Sequence, residues 1–284
     1  MGTTQRIVPG VTGEPNWGEL SRSITHIAKT VEKEKELDAE NEEGDPEGAE
    51  LPAEQESKEY PRVIEKLKNR RNKHLKAAFD NLVKASGGRE SVKKGRSRSF
   101  GKAGRKSASR LVGFVTGAAS NGLEDQLKAV GLGDLTGKSF SDVIDLLLDY
   151  SSESSAGMDD TAANKATLDV LNELAERADN NLSKFEELLK DYADGKGLAD
   201  LLCLFWGVYI FEHLSQRFQE KIRQTKGEEV SQETFQIIRD DIIGQVEVLN
   251  ERRAVANINW QGTEGENQIE SIFESIINII CDDH

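Results

Sequence analysis

The sequence contains few of the residues that build catalytic and metal centres. Its 284 residues include two cysteines and four histidines. Cys203 and Cys281 stand alone rather than in a Cys-x-x-Cys pair or a Cys/His cluster, which argues against a disulfide framework and a structural zinc site. This cysteine usage is typical of a reducing cytosol. We therefore expect a cytoplasmic protein with no metal site and no cofactor.

Long hydrophobic runs are also missing. The longest apolar run, Leu201–Phe211, is much shorter than the roughly 20 residues that a membrane-spanning helix requires. The first residues lack the apolar core of a signal peptide, and Arg6 stands where an N-myristoylation signal requires Ser or Thr. We predict that Leu201–Phe211 is part of a buried core helix and expect no membrane partner.

Recognisable catalytic arrangements are absent as well. Gly95–Ala103 superficially resembles a phosphate-binding loop, but it ends on alanine instead of Ser or Thr and no strand precedes it. His213 follows Glu212 in the predicted apolar helix, and a histidine satisfied by a neighbouring helix explains it better than acid/base machinery. We find no Ser–His–Asp or Cys–His combination, assign no catalytic residue, and predict that the protein is not an enzyme.

What the chain does have is charge, in three separate blocks. Residues 32–59 carry 13 acidic and 3 basic side chains, a net charge of −10, and residues 62–110 carry 17 basic and 3 acidic ones, a net charge of +14. Residues 111–284 return to a net charge of −19, and the whole chain has a net charge of −14. Segregation on this scale marks physically distinct regions.

Hydrophobic periodicity predicts helices and gives little sign of strands. Apolar residues recur in steps of three and four from Trp17 to Val31, Pro61 suits the start of a helix, and Ser139–Asp142 resembles a capping box. We predict an all-α fold, with a helical domain and a long flexible, charge-segregated N-terminal region. The predicted divisions are a flexible N-terminal arm at 1–16, a short amphipathic helix at 17–37, an acidic disordered linker at 38–60, a basic helix at 61–88, a basic Ser/Gly loop at 89–105 and an acidic all-helical domain at 106–284.

The basic loop and the start of the next helix form a candidate contact surface. Its cations lie among serines and glycines, with Phe100 as the one aromatic residue. Such a segment can neutralise phosphates without reading sequence, whereas one stacking aromatic disfavours specific single-strand binding. Docking onto an acidic part of the chain or of a partner is the preferred alternative to weak nucleic-acid binding. The candidate contact residues are Lys93, Lys94, Arg96, Arg98, Lys102, Arg105, Lys106 and Arg110.

The N-terminus offers a second candidate site. Gly2 follows the initiator methionine, and removal of Met1 would leave an unhindered glycine amine on an arm of about fifteen residues without periodicity. An α-amine has an unperturbed pKa of about 7.7–8.0, so part of it is the neutral nucleophile near neutral pH. Trp17, at the end of this arm, either anchors a partner or closes the end of a small core.

Three stretches carry a resemblance to a known family. They are Ser99–Phe114, Ala119–Leu127 and Gly131–Lys138, together with the Met1-Gly2-Thr3-Thr4 start. These residues resemble the QatB family, the small component of the bacterial Qat anti-phage defence system. The resemblance implies a set of partners: an ATPase, a QueC-like enzyme and a TatD-like nuclease.

The resemblance also implies a chemical role for the N-terminus. QueC-type enzymes use ATP to activate a carboxylated deazaguanine, and a relative in a defence system can use a protein amine as the acceptor. The expected function is that of a non-enzymatic substrate and binding partner, with a deazaguanine-type base conjugated to Gly2 and with Thr3 and Thr4 placing the arm in the partner's cleft. The alternatives are a nucleic-acid-binding subunit and a purely structural adaptor that links the ATPase and the nuclease.

Overall fold

A computed structural model describes residues 15–43, 53–97, 99–152, 157–192, 196–251 and 263–281. Within these ranges the chain forms eleven α-helices and no strand, so the predicted all-α fold is confirmed. The helices are α1 (Pro15–Glu43), α2 (Ala53–Ala85), α3 (Arg89–Lys93), α4 (Lys102–Asn121), α5 (Leu123–Ala129), α6 (Phe140–Ser151), α7 (Met158–Arg177), α8 (Leu182–Tyr192), α9 (Lys196–Lys226), α10 (Glu228–Glu251) and α11 (Thr263–Cys281).

Local signals account for several helix ends. The predicted capping box is confirmed at the start of α6, where Ser139 Oγ accepts a hydrogen bond from the Asp142 amide at 3.2 Å. The Asp142 carboxylate in turn accepts one from the Ser139 amide at 2.7 Å, so two amides that the helix leaves free are satisfied. Gly122, with φ 91°, ends α4, since this conformation is strained for residues with a Cβ.

The chain divides into two compact units. The first consists of Met1–Ala85 and Arg217–Ile238, and its core includes the predicted apolar face of α1, with Leu20, Ile24 and Ile27 completely buried. Ion pairs join its helices: Lys226 Nζ lies 2.6 Å from Glu32 Oε2, and Lys35 Nζ lies 2.9 Å from Glu233 Oε2. Helix α1 therefore contacts α2, the end of α9 and the start of α10.

The predicted acidic linker at 38–60 needs correction. Helix α1 continues to Glu43 and α2 begins at Ala53, so within the described residues 38–43 and 53–60 are helical, and Pro61 lies inside α2 instead of opening it. Pairing between the two helices explains the longer helices: Arg71 binds Glu34, and the Tyr60 hydroxyl donates to Asp38. Residues 44–52 of the linker and 1–14 of the predicted arm lie outside the described residues.

The second unit consists of Ser86–Gln216 and Arg239–His284. Helix α4 is its central element and packs against α5, α6, α7, α8 and α11. The basic Ser/Gly loop predicted at 89–105 is shorter than expected, because Arg89–Lys93 forms α3 and α4 already begins at Lys102. Only 94–101 connects the two helices, and a side chain from α7 stabilises the start of α4.

Helix α9 contains the longest apolar run and is buried as predicted. Its side chains Leu202, Phe205, Trp206 and Tyr209 are completely inaccessible to solvent. Gly197–Lys226 is nevertheless long and apolar enough, by length and composition alone, to be a candidate membrane span, and 78% of its most apolar window is buried inside the protein. A core helix of this composition passes the same test, and the burial favours that interpretation.

Candidate functional site

The start of α4 is held by a buried carboxylate from another helix. Asp159, in the first turn of α7, accepts hydrogen bonds from the amides of Gly101 at 3.1 Å and Ala103 at 2.7 Å. Tyr209 donates its hydroxyl to the same carboxylate, and His213 Nε2 lies 3.1 Å from Asp159 Oδ1. We call Asp159, Tyr209, His213 and these two amides the Asp159 cluster. A negative charge at a helix N-terminus is favourable because unpaired amides and the helix dipole converge there.

The environment determines the protonation states of the cluster. Burial acts to raise the pKa of Asp159, but the hydrogen bond and charge of His213, with the Ala103 amide and the Tyr209 hydroxyl, outweigh it and lower that pKa. Burial and the adjacent carboxylate raise the pKa of Tyr209 well above its usual value. At neutral pH Asp159 is therefore ionised and Tyr209 is protonated, and His213 Nε2 donates to the carboxylate.

The Asp159 cluster is almost entirely buried. Tyr209 is fully buried and His213 is 1% exposed, so the arrangement is a structural clamp on α4. The prediction that a neighbouring helix satisfies His213 is confirmed, since its partner Asp159 lies on α7. The hydrogen bonds of the Asp159 cluster are better suited to holding helices together than to transferring a proton to a bound molecule.

Aromatic rings fix the segment that precedes α4. Phe100 is completely buried; its ring centroid lies 5.4 Å from that of Tyr209 and 4.9 Å from that of His213. Gly101 follows with φ 98°, and a Cβ there would lie 3.2 Å from the Phe273 ring. Gly104 is tighter still, because a Cβ would lie 2.6 Å from the Trp206 ring. Small residues let the backbone of α4 approach α9 and α11.

Two of the predicted contact residues use their guanidinium groups inside the unit. Arg105 Nη2 donates to the carbonyls of Val92 at 2.7 Å and Lys93 at 2.6 Å, and its guanidinium carbon lies 5.2 Å from the centroid of the Phe273 ring. Burial lowers the pKa of Arg105. Arg110 Nη1 donates to the Ser152 carbonyl at 2.9 Å. These two arginines connect α4 to its surroundings.

The comparison with known families identifies this segment. The family model described as "Qat anti-phage system associated protein QatB" matches residues 93–280. The chain belongs to the QatB family. The match covers α4 and the whole Asp159 cluster, which confirms the resemblance drawn from the sequence and makes the protein a component of an anti-phage defence system. No curated protein and no solved structure gives a significant match.

The other predicted contact residues of this QatB-family chain lie on the surface of its second unit. Lys94 pairs with Glu90 at 2.9 Å; Arg96, Lys102 and Lys106 are exposed, and Lys93 is half-buried. Arg98 lies outside the described residues. The described members of the predicted group are therefore divided between surface cations and the two partly buried arginines, Arg105 and Arg110.

The N-terminal residues predicted to be modified or to bind a partner are not described. Gly2, Thr3 and Thr4 lie outside the described residues; Trp17 belongs to the first turn of α1, but its side chain is also outside them. Their roles stay predictions. Among the described residues no group of three or more His, Cys, Asp and Glu side chains is placed to hold a metal ion.

Sequence reasoning missed Asp159 and Tyr209. Asp159 stands near the start of α7, where an acidic residue is ordinarily interpreted as a cap of its own helix, but the N-cap of α7 is Gly157. The carboxylate instead binds amides 56 and 58 positions earlier in the chain. A local signal for this pairing does not exist, since only the packing of α4 against α7 brings the groups together.

Proposed function

We propose that this protein is the substrate and binding partner of a QueC-like enzyme, which conjugates a deazaguanine-type base to Gly2 after Met1 has been removed. Membership of the QatB family carries the proposal, together with the Met1-Gly2-Thr3-Thr4 start of the sequence. The protein acts in the cytoplasm without catalysing the reaction. The ATPase and the TatD-like nuclease of the same system are its further partners.

The proposed reaction is an acyl transfer catalysed by the partner. The QueC-like enzyme joins the deazaguanine carboxylate to AMP from ATP, with release of pyrophosphate. The neutral Gly2 amine attacks the acyl carbon, an amide bond forms, AMP leaves and the nitrogen loses a proton. Glycine is well suited because its amine is unhindered and its pKa of about 7.7–8.0 keeps a neutral fraction available. Thr3, Thr4 and Trp17 would position the arm.

The intact mass of the protein tests this proposal. Purified from cells that also express the QueC-like partner, it should have lost Met1 and gained one acylated base on the N-terminal peptide. The variants Gly2→Pro and Gly2→Glu should gain no such mass, whereas the control Gly10→Glu should still gain it because the terminal amine is unchanged. The same added mass on the Gly2 variants would refute the assignment.

The structural adaptor is the second candidate, and the internal bonds of Arg105 and Arg110 favour it over nucleic-acid binding through residues 93–110. Both guanidinium groups hold α4 to neighbouring backbone carbonyls, so they support a rigid helical body better than phosphate contacts. An unmodified Gly2 in cells that resist phage would establish the adaptor role. If a variant at the partner interface keeps the Gly2 modification but no longer protects cells from phage, the protein has both roles.

A further inference from the structure

Helix α2 carries an exposed row of positive charge that lies outside the residues matched by the family model. Arg62, Lys66, Arg70 and Lys73 are all exposed and follow one another at intervals of four, four and three residues. This spacing puts them on one face of a helix. With a rise of 1.5 Å per residue, the row extends over about 16 Å. We call these four residues the α2 basic face.

Within the described part of the chain, the charges of this face are not used in internal ion pairs. Among the described residues none of the four forms an ion pair, in contrast to Arg71 of the same helix, which points inward and binds Glu34. Glu65, the one acidic residue on these turns, is exposed and borders the row next to Arg62. A protein with a net charge of −14 thus presents a continuous set of available cations in one place.

The surroundings of the row indicate the chemistry of its partner. A protein interface normally has an apolar or aromatic centre, but the only large apolar side chain exposed along the described part of α2 is Val63, at 37%. The exposed residue nearest the centre of the row is Asn69, whose amide can donate to a phosphate. The α2 basic face itself contains no aromatic side chain on which the bases of a single strand could stack. Regularly spaced phosphates fit this face best.

We propose that the α2 basic face binds the phosphate backbone of double-stranded nucleic acid without reading its sequence. Contacts of this kind position a protein on a duplex and carry no base information. Glu34 and Asp38 of α1 lie against α2, but their carboxylates bind Arg71 and Tyr60. Acidic groups more than about 10 Å from the face are largely screened at 0.1 M salt. This inference is independent of the proposed modification of Gly2. The modification is tested by the mass of the protein, whereas the α2 basic face is tested by binding to duplexes.

The salt dependence of binding follows from the number of cations. Four phosphate contacts release counterions such that the binding constant falls with salt at a logarithmic slope of about −3.6. Between 50 and 200 mM salt the affinity should therefore decrease about 150-fold. A contact made by apolar groups would change little over the same range, so the slope distinguishes the two kinds of surface.

The test uses the full-length protein and fluorescently labelled DNA and RNA duplexes of 24 base pairs, with binding followed by anisotropy. The triple variant Lys66→Glu, Arg70→Glu and Lys73→Glu should lose more than about tenfold in affinity at 100 mM salt, and its slope should fall to about −0.9 for one remaining contact. The matched control Lys93→Glu, Arg96→Glu and Lys102→Glu makes the same change in net charge on the other basic segment and should keep most of the affinity.

Several outcomes would overturn the proposal. One is equal affinity of the α2 triple variant and the unmodified protein; another is an equal or larger loss in the control variant, which would place the contact at residues 93–110. A third is tighter binding of a poly-glutamate peptide than of either duplex, since that would indicate an acidic protein partner. Circular dichroism of both triple glutamate variants verifies that their helices remain folded.

Discussion

Replacing Asp159 by asparagine removes a charge that four donors share, and the structure allows its cost to be worked out. Oδ2 accepts the Ala103 amide, while Oδ1 accepts the Gly101 amide, the Tyr209 hydroxyl and His213 Nε2. An asparagine has one acceptor oxygen, so in either orientation its NH₂ group faces at least one buried donor. One unsatisfied buried donor costs about 1–3 kcal/mol, and the lost charge at the helix N-terminus adds up to about 1 kcal/mol.

The expected loss of unfolding free energy is therefore about 1–4 kcal/mol. Urea denaturation at pH 7 measures it: with a slope of about 2 kcal/mol per molar urea, the midpoint should fall by about 0.5–2 M. Fluorescence of Trp206, in a background with Trp17 and Trp260 replaced by phenylalanine, reports on the unit that contains the cluster. The control Asp145→Asn is on the exposed face of α6 and should stay within about 0.5 kcal/mol.

The pH dependence provides a second check on the same residue. Folding lowers the pKa of Asp159 below its usual 3.8, so the ionised form stabilises the fold. This contribution is fully present above the usual pKa and is lost as the pH falls through the lower folded-state value. The difference between the protein and its Asp159→Asn variant should stay constant from pH 7 to about pH 5 and become smaller below pH 4. A variant as stable as the parent at pH 7 would refute the clamp.

Three further perturbations test the packing around the two units. Gly104→Ala should destabilise by about 1–3 kcal/mol because its Cβ would lie 2.6 Å from the indole ring of α9, whereas Gly113→Ala, on the same helix with no atom within 4 Å, should be neutral or stabilising. Arg105→Lys should lower the free energy of unfolding, measured by urea denaturation, by about 1–2 kcal/mol. A lysine ammonium cannot both donate to the two backbone carbonyls and stack on the aromatic ring as the planar guanidinium does. His74 is stacked on His26 with ring centroids 4.8 Å apart. Burial and the neighbouring histidine lower the pKa of His74 below 6.5, so stability should decrease as the pH falls from about 6.5 through the lower folded-state pKa, and less so in His74→Gln.

Each of these three has an outcome that contradicts it. Equal melting temperatures for the two glycine variants would mean that α4 and α9 do not approach closely at Gly104. An Arg105→Lys variant with unchanged stability would show that the guanidinium makes no net contribution. A His74 signal that titrates above 6.5 in proton NMR would reverse the sign of its pH effect.

Sequence reasoning succeeded where the signal was local. The Ser139–Asp142 capping box lies within four residues, and the apolar face of α1 repeats with the helical period, so both were predictable. It failed where partners lie far apart in sequence. Asp38 was placed in the predicted acidic linker because nothing nearby identifies Tyr60 as its partner on α2. The Glu34–Arg71 pair likewise joins residues on two different helices.

The candidate site shows the same division. The burial of His213 was predictable from its place in an apolar helix, but its partner was not, because Asp159 is 54 residues away and lies in the first turn of a different helix. Among the cations of residues 93–110, composition cannot separate Arg105, which is held by two backbone carbonyls, from Lys102, which is exposed. That distinction depends on tertiary packing alone.

Helices α9 and α10 belong to both compact units, and this has a consequence for any shortened version of the protein. Their adjoining ends, from Arg217 to Ile238, are counted with the N-terminal helices, where Phe218, Ile222 and Phe235 are buried. A fragment cut at residue 93, where the family match begins, would keep this helical hairpin but lose α1 and α2. Without α1 and α2, the end of α9 and the start of α10 would expose aromatic and aliphatic side chains to solvent. The fragment would then aggregate, although every residue matched by the family model is present.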